Sequence, residues 1–496
     1  MRLTALGSRL RTTAWPIPFV WTVALGLWGL SREGSVWRDE AATWQVALRS
    51  TGEISRMVEN VDVVHTLYYL LMHSLFECFG PSTTVLRLPS VLAAAAAAAC
   101  VAELGRRLSG NLVGLGAGMA FGLIPSVQFY LQEGRPYALV AAAAAVSTLL
   151  LVALLQGRRN ERGRWIAYAC MILVCGLLNW LALLILPAHM VTLAWARPTV
   201  RTWIRWASAS VAATAGVMPL ILFSRTQSGQ VSWIPPLTWH MLIGPAILLA
   251  LAGVGALLDR PGARGLSATA VGLPLLAVPQ IGLVGISLFK PLFVDRYVLF
   301  SLLGLALMVG VVLGALVEAV GRRSRSSARW VLPVVVAAAT VALLPQALAK
   351  RSPQSRVDDV LAAAEQVERL KKDGDAVLFV PSARRDTKSV SPHAFTGIQD
   401  IALEETPERS GTLKGVEWDA ARLRTEMLAR QRIILVTDAG DVSKPADSPR
   451  DRTKLATLGE CFRPVVDEQV RGRRITVYVR SASDSPSRLR CSESSR

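Results

Sequence analysis

Long apolar runs separated by short polar loops fill roughly the first 350 residues of the chain. Their lengths approach the ~20 residues that an α-helix needs to cross a bilayer. The runs lie at about 15–30, 84–104, 111–129, 137–156, 165–179, 181–196, 206–224, 240–258, 266–289, 297–318 and 330–348. This pattern predicts a polytopic α-helical membrane protein with about eleven spans. A mean hydropathy of +0.39 and a charged fraction of 18% agree with it.

The chain changes character after Leu348, where charged residues replace the apolar runs. Helical patterns alternate with short apolar strands, which is typical of an α/β domain. The predicted helices are at about 357–372 and 418–430, and the predicted strands are at 376–380, 433–436 and 475–479. We therefore expect a membrane module over 1–349, a soluble α/β domain over 350–480 and a disordered tail over 481–496.

Arginine clusters in the short loops predict the orientation, because such clusters mark cytoplasmic loops. The clusters are Arg106 and Arg107; Arg158, Arg159, Arg162 and Arg164; Arg197, Arg201 and Arg205; Arg260 and Arg264; and Arg322, Arg323, Arg325 and Arg329. Arg2, Arg9 and Arg11 precede the first run, and no signal-peptide cleavage site follows it, so we interpret it as an uncleaved helix that starts in the cytoplasm.

An even number of crossings must then separate the N-terminus from Arg106. We therefore interpret the short run at 63–79 as an external interfacial helix, one of several juxtamembrane helices at about 40–80. The α/β domain would lie outside the cell, on a multi-pass protein of the plasma membrane. The net charge of +18 comes mostly from these loops, so no nucleic-acid partner is expected.

Several conspicuous patterns are interpreted as structural. Gly114, Gly118 and Gly122 repeat every four residues within one apolar run, which predicts close helix packing. Asp438 and Asp441 follow the second predicted strand. They could line a ligand crevice at the strand ends, but we favour the interpretation that they are turn residues. Four of the six cysteines lie in apolar helices. Cys461 and Cys491 lie in the soluble region, and the sequence does not decide whether they form a disulfide.

Acidic residues gather in the loops of the predicted external face. Asp39 and Glu40 follow the first run, and Glu133 lies in a later external loop beside Arg135. Acids beside spanning helices are costly to desolvate and indicate a functional site. A solvated interfacial loop is the alternative, since tryptophans such as Trp37 are common at the headgroup level. The topology was assigned from the arginine clusters alone. The fact that these acidic groups all fall on one face is therefore an independent observation, and it favours a functional site.

Four short motifs carry a resemblance to a known family. They are Trp37-Arg38-Asp39-Glu40-Ala41, Asp62-Val63-Val64-His65-Thr66-Leu67-Tyr68-Tyr69, Leu86-Arg87-Leu88-Pro89-Ser90 and Gln132-Glu133-Gly134-Arg135-Pro136-Tyr137-Ala138-Leu139. Their order resembles the GT-C membrane glycosyltransferases, and most closely the bacterial branch related to protein O-mannosyltransferases and the lipid A aminoarabinose transferase. The resemblance covers about the first 140 residues well and the remaining helices loosely. His65-Thr66-Leu67 stands where relatives commonly have His-Pro-Pro, so the local turn differs.

The resemblance implies transfer of a sugar from a polyprenyl-phosphate carrier to an acceptor on the outer face, with inversion. Asp39 matches the catalytic base of the first external loop, and Glu133 matches the acid of the second. The chemistry requires a carboxylate that accepts the proton of the acceptor hydroxyl, and cations that offset the charge of the leaving phosphate. The candidates for donor binding are Glu40, Asp62, His65, Tyr68, Arg135, Tyr137, Lys290, Arg296 and Tyr297.

Three points stay open. Glu40, Glu133 and His65 offer oxygen and nitrogen ligands for a divalent metal ion; no other cofactor is expected. Mannose is the favoured sugar, a pentose or aminosugar is the alternative, and the acceptor is unknown. A transporter predicts acids near mid-helix, and a non-catalytic scaffold that binds cell-wall polymer predicts tolerance of Asp39 replacement. Every donor-handling candidate precedes Lys350, so a chain ending near Arg351 is expected to keep some activity.

Overall fold

The computed structural model describes residues 15–157, 161–227, 229, 233–259, 266–442 and 448–481. Several residues used in the sequence analysis lie outside these ranges. They are Arg2, Arg9, Arg11, Arg158, Arg159, Arg260, Arg264, Cys491 and all but the first residue of the predicted tail. The described residues form two compact units. The first contains the chain up to Leu30, Val63–Tyr68 and Arg87–Lys350, and the second contains Ser31–Asp62, Tyr69–Leu86 and the chain from Arg351.

The first unit is built from apolar helices that follow the predicted runs. The helices are α1 (Pro16–Leu27), α5 (Thr83–Ser109), α6 (Asn111–Leu123), α7 (Pro125–Tyr130), α8 (Tyr137–Leu155), α9 (Glu161–Leu178), α10 (Ile185–Ala196), α11 (Val200–Ser224), α12 (Ile243–Leu258), α13 (Ala268–Ser287), α14 (Leu302–Arg323) and α15 (Arg325–Arg351). Among the described residues, seven helices are long and apolar enough to cross a membrane, and three further apolar helices are shorter. Together with α9 they match each of the predicted spans. The predicted polytopic helical fold is confirmed.

The glycine stripe of α6 lies where neighbouring helices approach closely. A Cβ atom at Gly118 would lie 2.6 Å from Cβ of Pro18 in α1, and one at Gly122 would lie 2.7 Å from Oγ1 of Thr22. Both separations are shorter than real Cβ contacts, so a larger residue would push the helices apart. The stripe therefore has the packing role that its spacing predicts.

Three helices near the N-terminus belong mainly to the second unit. They are α2 (Arg38–Ala47), α3 (Thr51–Asn60) and α4 (Thr66–Phe79). Ser50 and Glu53 form a reciprocal capping box at the start of α3. Met57 of α3 and Tyr69 of α4 pack with Leu413, which comes from the C-terminal region. Helix α4 is not among the helices of the described chain that are long and apolar enough to span. Its position at the membrane surface stays a prediction.

The C-terminal region has a five-stranded mixed sheet in the order β2-β1-β5-β7-β6, with β1 parallel to β2 and β5. The antiparallel pairs are β5 with β7 and β7 with β6, and a separate β3–β4 pair completes the strands. The strands are β1 (Ala376–Val380), β2 (Gln399–Asp400), β3 (Leu403–Glu405), β4 (Val416–Glu417), β5 (Arg432–Asp438), β6 (Phe462–Val470) and β7 (Arg473–Arg480). The helices are α16 (Val360–Leu370), α17 (Asp386–Val390), α18 (Ala420–Leu428) and α19 (Pro449–Cys461). The predicted α/β domain is confirmed.

Both faces of the sheet are covered. Leu378 and Leu435 pack against Leu423 of α18, while Val377 and Ile434 face the layer that contains α16. Every residue of β1 is buried, which explains its continuous apolar sequence. The domain is therefore a three-layer structure whose central strands were readable from the sequence.

Candidate active site

In the first unit, the loop between α7 and α8 is fixed by side-chain hydrogen bonds. Gln132 Nε2 donates to the carbonyl oxygens of Gly26 (2.9 Å) and Trp28 (2.6 Å). Ser90 Oγ, from α5, donates to the carbonyl oxygen of Glu133 (2.7 Å). The third and fourth sequence motifs thus meet here, because Ser90 ends the third motif and Glu133 lies in the fourth. The loop holds Glu133 in a defined place.

Glu133 is buried, with 1% of its surface exposed. It lies within electrostatic range of Tyr130, as do Asp295 and Arg296. The Tyr130 hydroxyl donates to Asp295 Oδ1 at 3.1 Å, and Asp295 also accepts from the backbone N–H of Arg296 at 2.8 Å. The second predicted acid and the predicted phosphate-binding arginine therefore belong to one polar cluster of the first unit.

Arg135 and His65 form a contact in the same unit, with Arg135 Nη2 3.1 Å from His65 Nε2. Guanidinium groups only donate hydrogen bonds, so the His65 Nε2 atom accepts and carries no proton. Burial lowers the pKa of His65 well below its ordinary value, and the charges of Arg135 and Arg296 lower it further. His65 is therefore a neutral acceptor that orients Arg135.

Arg296 lies against three aromatic rings. Its guanidinium carbon is 5.3 Å from the ring centre of Trp233, 5.7 Å from that of Tyr137 and 6.0 Å from that of Tyr297. The Tyr137 and Tyr297 rings are themselves 6.4 Å apart. Stacking on these rings holds the planar guanidinium through cation–π contacts. Of the predicted donor-binding residues, Arg296, Tyr137 and Tyr297 are brought together, while Lys290 is exposed at the end of α13.

In the second unit, Asp39 and Glu40 lie in the first turn of α2 and differ in environment. Asp39 is partly exposed, whereas Glu40 is fully buried. The Glu40 carboxylate forms a 2.5 Å ion pair with Arg32, which is equally buried. This pairing favours a structural role for Glu40, and Asp39 is the more exposed acid of the pair.

Other predicted residues have mainly structural contacts. Asp62, at a positive φ of 58°, accepts a hydrogen bond from the hydroxyl of Tyr69 at 2.9 Å. Tyr68 is completely buried in the first unit. Asp438, at the end of β5, is held by both Arg384 and Arg38, which favours a structural role over the ligand crevice.

Two of the three candidate metal ligands have other partners in the structure. The described chain has no group of three or more His, Cys, Asp and Glu side chains placed to hold a metal ion. The Glu40 carboxylate is paired with Arg32, and the Nε2 lone pair of His65 accepts from Arg135. A metal ion at Glu40, His65 and Glu133 therefore stays a hypothesis from the sequence, and no step of the reaction is assigned to a metal.

Sequence reasoning missed Trp233, Tyr130 and Arg32. Trp233 is an exposed tryptophan in a long loop, and nothing in its neighbourhood predicts contact with Arg296. Arg32 lies eight residues before Glu40, and a spacing of eight in a loop carries no pairing signal. Only the tertiary structure reveals these partners.

Solved structures are similar to this chain over almost its whole length. ArnT from Cupriavidus metallidurans, bound to undecaprenyl phosphate, matches with a TM-score of 0.57 and 16% identity over 93% of this chain and 98% of that one. The arabinofuranosyltransferase AftD from Mycobacteria matches with a TM-score of 0.51 and 18% identity over 94% of this chain and 40% of that one. An apo oligosaccharyltransferase of Archaeoglobus fulgidus matches with a TM-score of 0.50 and 11% identity over 95% of this chain and 74% of that one.

The chain has the GT-C fold. The resemblance inferred from the four motifs is thereby confirmed at the level of the fold. No protein-family model matches the chain, and no curated protein matches its sequence. The GT-C fold is thus recognised here through tertiary structure and short motifs.

Proposed function

We propose that this protein transfers a sugar from a polyprenyl-phosphate donor to an acceptor outside the cytoplasm. The observation that carries the proposal is the cluster of Glu133, Arg135 and His65 near the stacked Arg296, within a GT-C fold. Arginines held in place by aromatic and imidazole partners are suited to bind a phosphate at headgroup depth. The similar ArnT structure is bound to undecaprenyl phosphate, which supports a lipid-linked donor.

The proposed reaction is a single displacement at the anomeric carbon. The acceptor hydroxyl oxygen forms the new glycosidic bond while its proton passes to the Asp39 carboxylate. The bond between the anomeric carbon and the phosphate oxygen breaks, and polyprenyl phosphate leaves with the bonding electron pair. One displacement inverts the configuration. General-base assistance of this kind is worth ~10²–10⁴ in rate.

The donor phosphate gains negative charge as this bond breaks. Arg296 and Arg135 would offset that charge, and preorganised cations are effective because they need not reorient during the reaction. Tyr137 and Tyr297 keep the Arg296 guanidinium in place. Lys290, which is exposed, is the weaker phosphate candidate. Glu133 is proposed to act on the donor side, since its loop is shared with Arg135.

The identity of the sugar divides the proposal into two candidates. The sequence motifs favour mannose. A pentose or aminosugar is the second candidate, supported by the name of the similar AftD, an arabinofuranosyltransferase. Supplying a polyprenyl phosphate that carries either sugar to the purified protein distinguishes the two.

We also propose the orientation in the membrane. The N-terminus would be cytoplasmic, and the juxtamembrane helices at about 40–80 and the α/β domain over 350–480 would lie outside. The arginine clusters in the loops between the apolar helices support this orientation, because such clusters mark cytoplasmic loops.

The test is a comparison of polyprenyl-phosphate sugars extracted from cells with and without the protein. One lipid-linked sugar should accumulate when the protein is absent, and wild-type protein should restore its normal level, whereas the Asp39→Asn variant should not. An unchanged lipid-linked pool would remove the proposed donor. Full restoration by an inserted Asp39→Asn variant would favour the non-catalytic scaffold instead.

A further inference from the structure

Helix α2, which carries Asp39, begins without a cap of its own. Trp37 occupies the N-cap position, and its side chain makes no capping hydrogen bond. Free N–H groups at a helix start usually bind a Ser, Thr, Asp or Asn side chain at that position. Here the cap comes from a distant part of the second unit: the backbone N–H of Arg38 donates to Asp358 Oδ1 at 3.0 Å.

The Arg38 side chain strengthens the same connection. Its Nε donates to Asp358 Oδ2 at 2.9 Å, so one carboxylate binds both the backbone and the side chain of Arg38. Its Nη2 lies 3.4 Å from Asp438 Oδ1. The adjacent backbone is also fixed, because the N–H of Val360 donates to the carbonyl oxygen of Val36 at 2.7 Å.

The Asp358 carboxylate is itself held by Arg473 from β7. Arg473 Nε and Nη2 lie 3.0 and 2.8 Å from Asp358 Oδ2, and both side chains are fully buried. Arg473 is bidentate to Asp386 of α17, at 3.0 and 2.9 Å. Burial alone would raise the pKa of Asp358, but Arg473 and Arg38 outweigh burial and lower it. Asp358 is therefore ionised at neutral pH.

Apolar packing surrounds this ion network. Val36 and Ala41 are buried together with Val360 and Val390, and Trp44 packs against them. The contact thus combines a dry apolar patch with paired charges that cannot easily rearrange, since breaking one pair would leave a buried charge uncompensated. It fixes both the position and the rotation of the first turn of α2.

We propose that Asp358, held by Arg473, is a positioning residue for the catalytic base. It acts through Arg38 on Asp39, the next residue in the same helical turn, so the C-terminal domain holds the helix turn that carries the base. The proposal rests on the proposed function, in which Asp39 accepts the proton. A displacement of a catalytic group by about 1 Å can cost ~10²-fold in rate.

The test is a double-mutant cycle on the full-length protein in lipid nanodiscs, with a polyprenyl-phosphate sugar as donor. Asp358→Asn and Arg38→Ala should each lower kcat by ~10–100-fold with donor KM within about twofold, since the donor-binding groups are unchanged. The double variant should lose no more than the worse single variant, because both changes remove one connection.

The matched control is an ion pair of the same domain. Asp467 and Arg474 form a bidentate pair on the β6–β7 hairpin, with 41% and 43% of their side chains exposed. Asp467→Asn and Arg474→Ala should leave kcat unchanged. Hydrogen exchange provides the readout that separates positioning from general loss of stability: residues 36–47 should exchange faster in Asp358→Asn, while β1 stays as protected as in the wild type.

Arg38→Lys keeps the positive charge and leaves the Asp358–Arg473 pair intact, so it carries the test if Asp358→Asn does not fold. It should lose ~10-fold in kcat. Wild-type kcat in folded Arg38→Lys and Arg38→Ala, or losses that add in the double variant, would overturn the proposal. Asp39→Asn in the same assay separates the two claims. If it is active, the base assignment fails; if it is inactive while Arg38 and Asp358 variants are fully active, only the positioning role fails.

Discussion

Replacing Arg296 tests donor binding, and the contacts of Arg296 set the expected change in donor KM. Arg296→Ala removes a guanidinium that we expect to bind the donor phosphate. A hydrogen bond to a charged group contributes ~1.5–3 kcal/mol, so donor KM should rise by ~10–150-fold. Because the phosphate is bound before the reaction starts, kcat should change much less.

Arg296→Lys separates charge from stacking. Lysine keeps the positive charge but lacks the planar group that lies 5.3 Å from Trp233 and 5.7 Å from Tyr137. Cation–π contacts at exposed sites contribute ~0.5–1 kcal/mol, so donor KM should rise by only ~2–5-fold. Trp233→Leu should give a similar small increase at little risk to folding, since Trp233 is 48% exposed.

The assay is steady-state transfer by protein in nanodiscs, with the donor concentration varied at saturating acceptor. Arg329→Ala is the matched control, because Arg329 also lies over an exposed tryptophan, Trp330, at 5.8 Å. Its donor KM should equal that of the wild type. A fall in kcat without a change in KM for Arg296→Ala would refute the ground-state role, and wild-type values for both would remove Arg296 from the donor site.

Protein stability should fall as the pH drops below about 6.5, the ordinary pKa of histidine, because His65 resists protonation in the folded protein and not in the unfolded chain. His65→Gln should therefore flatten the plot of melting temperature against pH in this range. A plot identical to that of the wild type would contradict the prediction. A chain stopped near Arg351 should lose transfer activity although it inserts, since it lacks the partners of α2; retained activity would show that the C-terminal domain is dispensable. Cysteines at Ser74 and Ser31 should react with an impermeant thiol reagent from outside, while one at Ser109 should not; labelling of Ser109 would overturn the topology.

The truncation result expected here reverses the expectation from the sequence. All donor-handling candidates precede Lys350, so sequence position alone suggested an independent membrane module. The structure instead groups Ser31–Asp62 with the C-terminal region in one compact unit. The partners Arg38 and Asp358 are 320 residues apart. The sequence around either residue contains no pattern that predicts this contact.

The membrane fold was predictable because it depends on hydrophobic length and on loop charge. Motif order and the predicted topology also nominated Arg135, Tyr137 and Arg296 as candidates, and their role in donor binding stays a prediction. Strand β6 was missed for a physical reason: it lies at the edge of the sheet, contains Pro464 and is mostly exposed, so it lacks the apolar alternation of a buried strand. Ion-pair partners such as Arg32 for Glu40 are chosen by tertiary packing, and the sequence pattern does not encode them.

The central claim is that Asp39 removes the acceptor proton during sugar transfer from a polyprenyl phosphate. The most direct measurement is the single-turnover rate of polyprenyl-phosphate release by wild-type and Asp39→Asn protein, each in nanodiscs with bound donor and saturating acceptor. Asparagine keeps the size and one oxygen but cannot take the proton. We expect the release rate of Asp39→Asn to be at least ~10²-fold lower, equivalent to about 2.7 kcal/mol of barrier, with unchanged donor affinity. An Asp39→Asn protein that is correctly inserted and releases polyprenyl phosphate at the wild-type rate would contradict the account.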